Sequence, residues 1–588
     1  MSDASKADLP LPPGRTGWPL IGETLPFLRD AFGFVDQRIA EHGAVFRTRI
    51  LGQDVAVFAG PEAAALFIDE DLIQRDGAAP AHVQELLGGG SLGVLDGSVH
   101  KMRKQQVLAG FTNAALAGYV PAMQAAVDRA LGEALAAGEI QCVETFKRLA
   151  LEVISTNVFG MGRGADLDAL VADFAVVTGG FTGLPIDVRA TAYGKAVAAK
   201  NRIFALLGRY VEAHRRDRPS DGLTLILDAH ASDGSAITDE NVVKELHHIF
   251  IAGYIIFSEF THIVAELAAH PDVRRRLRDE VQAHSPDGPI TPRALAAMPE
   301  LSQLVSEIKR IAPVVPAVFG KAKRDFEYAG HRIPKGWLVY WGLRASNHDA
   351  KVFASPEKFD PARFSPARDE AGKHPHAFAP QGAGPATGHK CPGTDYATLF
   401  MQVFTIVLLR GYDWDLPSQN LSLDWGRIPP EHGDGLRARF RSRSAGALAS
   451  VSPRLSGDVL VALASIAWAD GVVTDDEKHL LLEVARVSEL GKADLDRVTR
   501  ALDERGAALD TARLGAEERT YVLALATWLA RVDGRVTTQE RQAIASAAQR
   551  WGATAEEIAL AEAAGSAIEI AGDGPGLARL LRELAPPV

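Results

Sequence analysis

Cys391 ends a run rich in glycine and proline, Phe378-Ala-Pro-Gln-Gly-Ala-Gly-Pro-Ala-Thr-Gly-His-Lys-Cys391-Pro-Gly393. Glycines let a backbone pass close to a flat ligand, and amides around a sulfur lower its pKa and tune a metal held by it. Standing alone, such a loop would more simply hold a buried structural cysteine. Three other groupings bear on the choice. Glu307-Ile308-Lys309-Arg310 puts a carboxylate and a guanidinium on one helix face. Gly97-Ser-Val-His100-Lys-Met-Arg103-Lys104 sets a histidine and a lysine four residues apart on a basic segment, and Ser258-Glu259 places an alcohol and an acid in a long apolar stretch.

The elements that must carry these groups read as mainly helical. Ala122 to Ala137 and Val197 to His214 repeat apolar residues at three- and four-residue spacings. Short β-branched or alternating runs, Ala44 to Leu51, Val55 to Ala59 and Trp337 to Trp341, predict strands of small accessory sheets. A chain of 588 residues is too long for one ordinary core, and its apolar fraction of 47% is that of a globular protein. The Ser- and Arg-bearing stretch from Arg441 to Arg454 lacks an apolar stripe and predicts a linker between a first domain at 1–440 and a second at 455–588. Inside the second domain Ala469-Asp470-Gly471-Val472-Val473-Thr474 through Glu477 returns as Val532-Asp533-Gly534-Arg535-Val536-Thr537 through Glu540. Asp-Gly supplies a turn and Thr-x-x-Glu a capping box, so two helical hairpins are expected without any metal at the acidic residues.

Around Cys391 the chain resembles the haem loop of the cytochrome P-450 family, with Gly393 two residues after the cysteine and a helix from Asp395 to Leu409. The resemblance extends to other motifs in the same order. Glu307 and Arg310 match that family's Glu-x-x-Arg pair, and Phe359-Asp360-Pro361-Ala362-Arg363-Phe364 is similar to its Pro-x-Arg-Phe stretch. Upstream, Leu11-Pro12-Pro13-Gly14 and Gly17-Trp18-Pro19-Leu20-Ile21-Gly22 resemble its proline-rich entry. The resemblance implies a mainly α fold with small sheets and haem b held by Cys391. It also implies His100, Lys104 and His389 near the haem propionates, and Glu307, Arg310 and Arg363 in a buried structural network. Two departures stand out. The loop is long and carries Gly384 where the family pattern has Phe, and Gly320 occupies a position where related sequences often carry an Arg to a propionate, for which Lys321 or Lys323 would substitute.

Val243 to Glu266 aligns with the helix that crosses the oxygen side in this family, and Ala252-Gly253 matches its Ala-Gly opening against the haem. The acid and alcohol that relay protons there in monooxygenases are replaced by Ile255 and Ile256, which carry no proton. Glu259, one turn on, offers a displaced relay, against the commoner outcome of an exposed or partner-bonded Ser-Glu pair. His247 and His248 point apart on a helix, which reads as surface or groove residues and not as a metal pair.

Three functions fit this pattern. One is an atypical oxidising enzyme acting on a lipophilic small molecule with peroxide, or with dioxygen and electrons from a separate ferredoxin and reductase. Another is a non-redox isomerase or lyase acting on a peroxide or another oxidised substrate. The third is a haem-binding sensor. The long cysteine loop resembles that of fatty-acid peroxygenases, although the helix lacks their Arg-Pro pair. The duplicated C-terminal part is similar to TerB-type tellurite-resistance domains, which implies a separate all-α unit for protein association. A net charge of −11 argues against nucleic acid. No unbroken apolar run approaches the roughly 18 residues of a membrane span, and no secretory pattern opens the chain, so a cytoplasmic protein is expected.

Overall fold

The computed structural model describes residues 9–181, 186–312 and 314–443, and in the C-terminal part mainly 457–468, 492–504 and 538–550. Two compact units emerge, one running to Arg410 and including Trp414–Arg439, the other formed by Gly411–Asp413 and the chain from Phe440.

The first unit is built largely of helices. Those that matter for the site are α1 (Gly97–Leu108), α2 (Asn113–Ala137), α3 (Cys142–Phe159), α4 (Ala192–Asp217), α5 (Asp239–Tyr254), α6 (Phe257–Ala269), α7 (Pro299–Ile311) and α8 (Thr394–Gly411). Local chemistry sets their ends. Thr112, Thr191 and Thr238 accept hydrogen bonds from backbone amides three residues on at the starts of α2, α4 and α5, and Gly138, at φ 79°, ends α2. A five-stranded sheet joins β1 (Val45–Ile50), β2 (Gln53–Phe58), β3 (Ile73–Gln74), β4 (Ala317–Ala322) and β5 (Leu338–Gly342) in the order β1-β2-β5-β4-β3. Only β2 and β5 pair in parallel. The β3 and β4 pairing sets Ile73 opposite Ala322 and Gln74 opposite Lys321.

Aromatic packing fixes the central helices against one another. Phe260 of α6 stacks on Phe404 of α8 with ring centroids 4.3 Å apart, and Phe146 of α3 meets Phe404 edge-on at 5.1 Å. Glycine at 253 on α5 serves the same packing: a Cβ there would stand 2.9 Å from Ile154 of α3, which would have to shift.

The stretch from Val243 to Glu266 is not one uninterrupted helix. The ladder breaks at Ile255-Ile256, where the Ser258 amide donates to the Ile255 carbonyl three residues back. Asp239–Ala269 taken whole is long and apolar enough to cross a membrane, but 67% of its most apolar window is buried in the protein, which makes it a core segment. His247 also departs from expectation. It is fully buried, bonds the Leu86 carbonyl at 2.8 Å and packs near-parallel to Phe174, and burial pulls its pKa down to about 4.

In the second unit the described helices are α9 (Gly457–Ala467), α10 (Lys492–Asp503) and α11 (Thr538–Arg550). The Trp468 indole donates to the Ala501 carbonyl at 2.9 Å, and Leu460, Leu463 and Val498 are buried. The duplicated Asp-Gly motifs, and nearly all of the segment read as a linker, lie outside the described residues.

Candidate active site

Cys391 faces a cavity of about 410 Å³, inside the ~300–1,000 Å³ usual for small-molecule sites. Its lining is dominated by Ile, Val, Leu, Phe and Ala side chains from α1, α3, α5, the α5–α6 junction, the sheet and the cysteine loop. A larger and more open hollow of about 540 Å³ holds no thiol, and its Arg427 and Glu431 pair with each other at 3.0 Å.

The loop is held from several sides. The Cys391 amide donates to the Gln381 carbonyl at 3.1 Å, and the Thr394 hydroxyl donates to the Cys391 carbonyl at 2.9 Å. From α7, the buried Lys309 ammonium donates to Gln381 Oε1 at 2.8 Å, Thr398 Oγ1 at 2.7 Å and the Thr394 carbonyl at 3.2 Å. Lys104 Nζ donates to the Lys390 carbonyl. Gly384 has φ 92°, and a Cβ there would meet Ile68 at 2.9 Å, so the larger residue of the common pattern has no room. Cys391 is half-buried and lines the cavity. Burial raises its pKa, a bond from the Gly393 backbone and the Lys104 and Lys309 charges pull it down, and Glu259 raises it again.

A basic cluster occupies one part of the lining. His100 and His389 stack with centroids 4.0 Å apart. Burial takes the His100 pKa down to about 4 and that of Lys104 down to about 8. Asp96 stands among them, with Oδ1 3.6 Å from His389 Nε2 and Oδ2 accepting the Arg75 and Asp76 amides at 2.7 Å. His100 Nδ1 is buried without a hydrogen-bond partner. These residues fit a haem: one thiol to take the iron, an apolar enclosure, and cations with unused donors for its acid groups. Lys321 and Lys323 do not line the cavity; Lys323 is tied to the Glu70 carbonyl at 2.7 Å. Arg75 lines it instead, a residue in Gln-Arg-Asp-Gly that carried no local signal.

Away from the cavity, Glu307, Arg310 and Arg363 meet with no solvent exposure. Arg310 grips Glu307 through two bonds of 2.8 Å, and Arg363 reaches Glu307 at 3.2 Å and Glu370 at 2.9 Å. The Asp360 amide also donates to Glu307, at 2.8 Å. Glu370 is the member that the motifs did not reveal.

On the α5–α6 side, Ala252, Gly253, Ile255, Ile256 and Glu259 all line the cavity. Ser258 and Glu259 are not an exposed pair. Ser258 turns away and donates to the Pro430 carbonyl at 3.3 Å, while Glu259 is buried against the cavity. Burial raises its carboxyl to about 7 despite the opposing Lys309 charge. The neighbouring Phe260 stacks on Phe404 of α8. His248 also lines the cavity.

Comparison with known proteins agrees with this geometry. Residues 12–424 match the family described as Cytochrome P450. The chain is 29% identical over 438 residues to a putative cytochrome P450 120 of Synechocystis sp., covering 74% of this chain and 97% of that protein. It is 31% identical to abscisic acid 8'-hydroxylase 3 of Oryza sativa, covering 72% of this chain and 85% of that protein. Among solved structures, retinoic acid-bound cyanobacterial CYP120A1 superposes with a TM-score of 0.69 at 29% identity, over 74% of this chain and all of that one. Cytochrome P450SP alpha (CYP152B1) with (R)-ibuprophen does so with a TM-score of 0.61 at 25% identity, over 71% and 98%. A match running from residue 12 to residue 424, which takes in the loop that presents Cys391, places this chain in the cytochrome P450 family of haem-thiolate oxidoreductases.

Proposed function

We propose that the chain binds haem b through Cys391 and oxidises a lipophilic small molecule, with hydrogen peroxide as the source of oxygen and Glu259 as the general acid. The observation that carries this reading is Glu259: a buried carboxyl lining the same cavity as Cys391 and raised to about 7, beside an Ile255-Ile256 pair that cannot move protons. A general acid works best with a pKa near the operating pH and is typically worth ~10²–10⁴-fold.

When bound, a thiolate-ligated haem supplies activation of the O–O bond and delivery of one oxygen atom. For substrate R–H the balance is R–H plus H₂O₂ giving R–OH plus H₂O. Glu259 gives its proton to the oxygen that leaves as water, and the proton lost from the peroxide restores the acid. Ile249, Val94, Val318 and Phe319 exclude water and seat an apolar substrate. His100, Lys104 and His389 hold the haem's acid groups, and Ala252 and Gly253 bring the helix backbone to the cavity wall. Glu307, Arg310 and Arg363 keep α7 and the following loop in register behind the site. Retinoic acid and ibuprophen, named in the solved relatives, are lipophilic carboxylic acids, which makes that class the first to screen. The C-terminal unit serves association with other proteins, and the enzyme works in the cytoplasm.

The hydroxylases among the relatives favour a second reading, dioxygen with electrons from a ferredoxin and its reductase. Turnover of a lipophilic acid with hydrogen peroxide is compared with turnover under reduced nicotinamide and a surrogate redox chain. Peroxide-supported product is expected. Product only with the electron source overturns the peroxide reading, and a protein that never takes up haem overturns both.

A further inference from the structure

Arg75 is 7% exposed and lines the Cys391 cavity, yet among the described residues its guanidinium makes no ion pair. Nη1 donates to the Phe319 carbonyl at 2.6 Å and Nη2 to the Phe67 carbonyl at 3.2 Å, while the guanidinium stands 5.1 Å from the centre of the Phe67 ring. Those partners are neutral. Asp96, the carboxylate beside it, is engaged by the Arg75 and Asp76 amides and by His389. Burial lowers the Arg75 pKa to about 10, against a smaller pull from the Asp96 charge. A buried cation of this kind costs free energy unless an anion meets it.

The sheet explains how the charge arrives there. Extending the β3–β4 register by one residue sets Arg75 opposite Gly320. A Cβ at Gly320 would stand 3.4 Å from Arg75 Nη1 and 2.4 Å from Ile73 Cγ2. A Cβ at 320 would collide with Ile73 and touch the guanidinium, so the cross-strand arginine lies directly over the glycine, and its backbone amide ties it to Asp96, which faces His389.

We infer that Arg75 is a carboxylate-binding residue of this cavity and holds a haem propionate from the strand opposite Gly320. This rests on the haem b reading above. The same guanidinium chemistry could take a substrate carboxylate, and the two sources separate experimentally.

Full-length wild type, Arg75→Met and Arg75→Gln are loaded with haem b or with its dimethyl ester, and the rate of transfer to apomyoglobin is measured. Both variants are expected to release haem b roughly 10- to 100-fold faster than wild type, as when an outer partner of a metal site is removed. Release of the dimethyl ester should be equal in all three. In a second arm, binding of lauric acid and methyl laurate is followed by the haem absorption shift, and the ratio of the two affinities should not change. Equal haem b retention, equal acceleration with both porphyrins, or a selective loss of lauric acid binding would each overturn the propionate assignment. Should Arg75→Met fail to fold, Arg75→Gln, which keeps hydrogen-bonding capacity without charge, carries the same comparison. Wild type that takes up no haem would instead defeat the haem b reading itself, so the two failures are distinct.

Discussion

Lys309 Nζ lies 2.8 Å from Gln381 Oε1, and the carbonyl of the same Gln381 accepts the Cys391 amide at 3.1 Å. One buried ammonium on α7 therefore braces the loop that carries Cys391, besides bonding Thr394 and Thr398 at the start of α8. Lys309→Met keeps the side-chain length and removes the donors. It should weaken haem retention roughly tenfold and lower the fraction of ferrous protein whose carbon-monoxide complex absorbs at the thiolate position. Cys391→Ala should abolish that absorption altogether.

Glu259 should impose a pH dependence on peroxide-driven turnover. It acts while protonated, so activity is present below its raised value of about 7 and falls as pH rises through it. Lys309 is the charged group that bears on it, and it opposes the rise. Glu259→Gln should cut the rate by ~10²–10⁴-fold and flatten the profile. A pH–rate profile unchanged by that substitution would remove Glu259 from the chemistry.

Glu307 neutralises two guanidiniums at a point with no solvent exposure. Glu307→Ala leaves both buried with only Glu370 in reach, which should destabilise the first unit by ~3–5 kcal/mol, read by urea denaturation. A loss under 1 kcal/mol would mean that water reaches the network.

His214, in the last turn of α4, is buried with Nε2 2.8 Å from Asp221 Oδ2. Burial disfavours its charge, but the hydrogen bond and attraction of Asp221 outweigh that, and the folded pKa is raised. Its contribution to stability is complete below the ordinary histidine value of about 6.5 and is lost as pH rises through the folded value. Thermal melts of wild type against Asp221→Asn should therefore differ at low pH, by up to ~2 kcal/mol, and converge at high pH.

Gly253→Val would gain little in helix propensity and would force a branched side chain onto Ile154. The α5–α3 contact must open, at ~1–3 kcal/mol, measured by thermal denaturation. Gly253→Val paired with Ile154→Ala should recover part of that loss, because the two sites share one contact.

The motifs that survive as local patterns were legible in the chain. The Cys391 loop, the Glu-x-x-Arg pair with Arg363, and the apolar Ile255-Ile256 positions all depend on order and spacing along the backbone, and the mainly helical character follows from periodicity. The orientation of individual side chains was not. Ser258 and Glu259 are neighbours in sequence, yet one turns to the Pro430 carbonyl and the other to the cavity, on a helix whose Phe260 stacks on Phe404 of α8. His247, expected at the surface or in a groove, lies in the core. Arg75 had no motif at all, and it reaches the site only because β3 and β4, some 245 residues apart, pair in one register. What the sequence by itself determined is which chemical groups are available and on which elements they ride. Tertiary structure decided which of them meet, since burial and facing are set by contacts between segments remote in the chain.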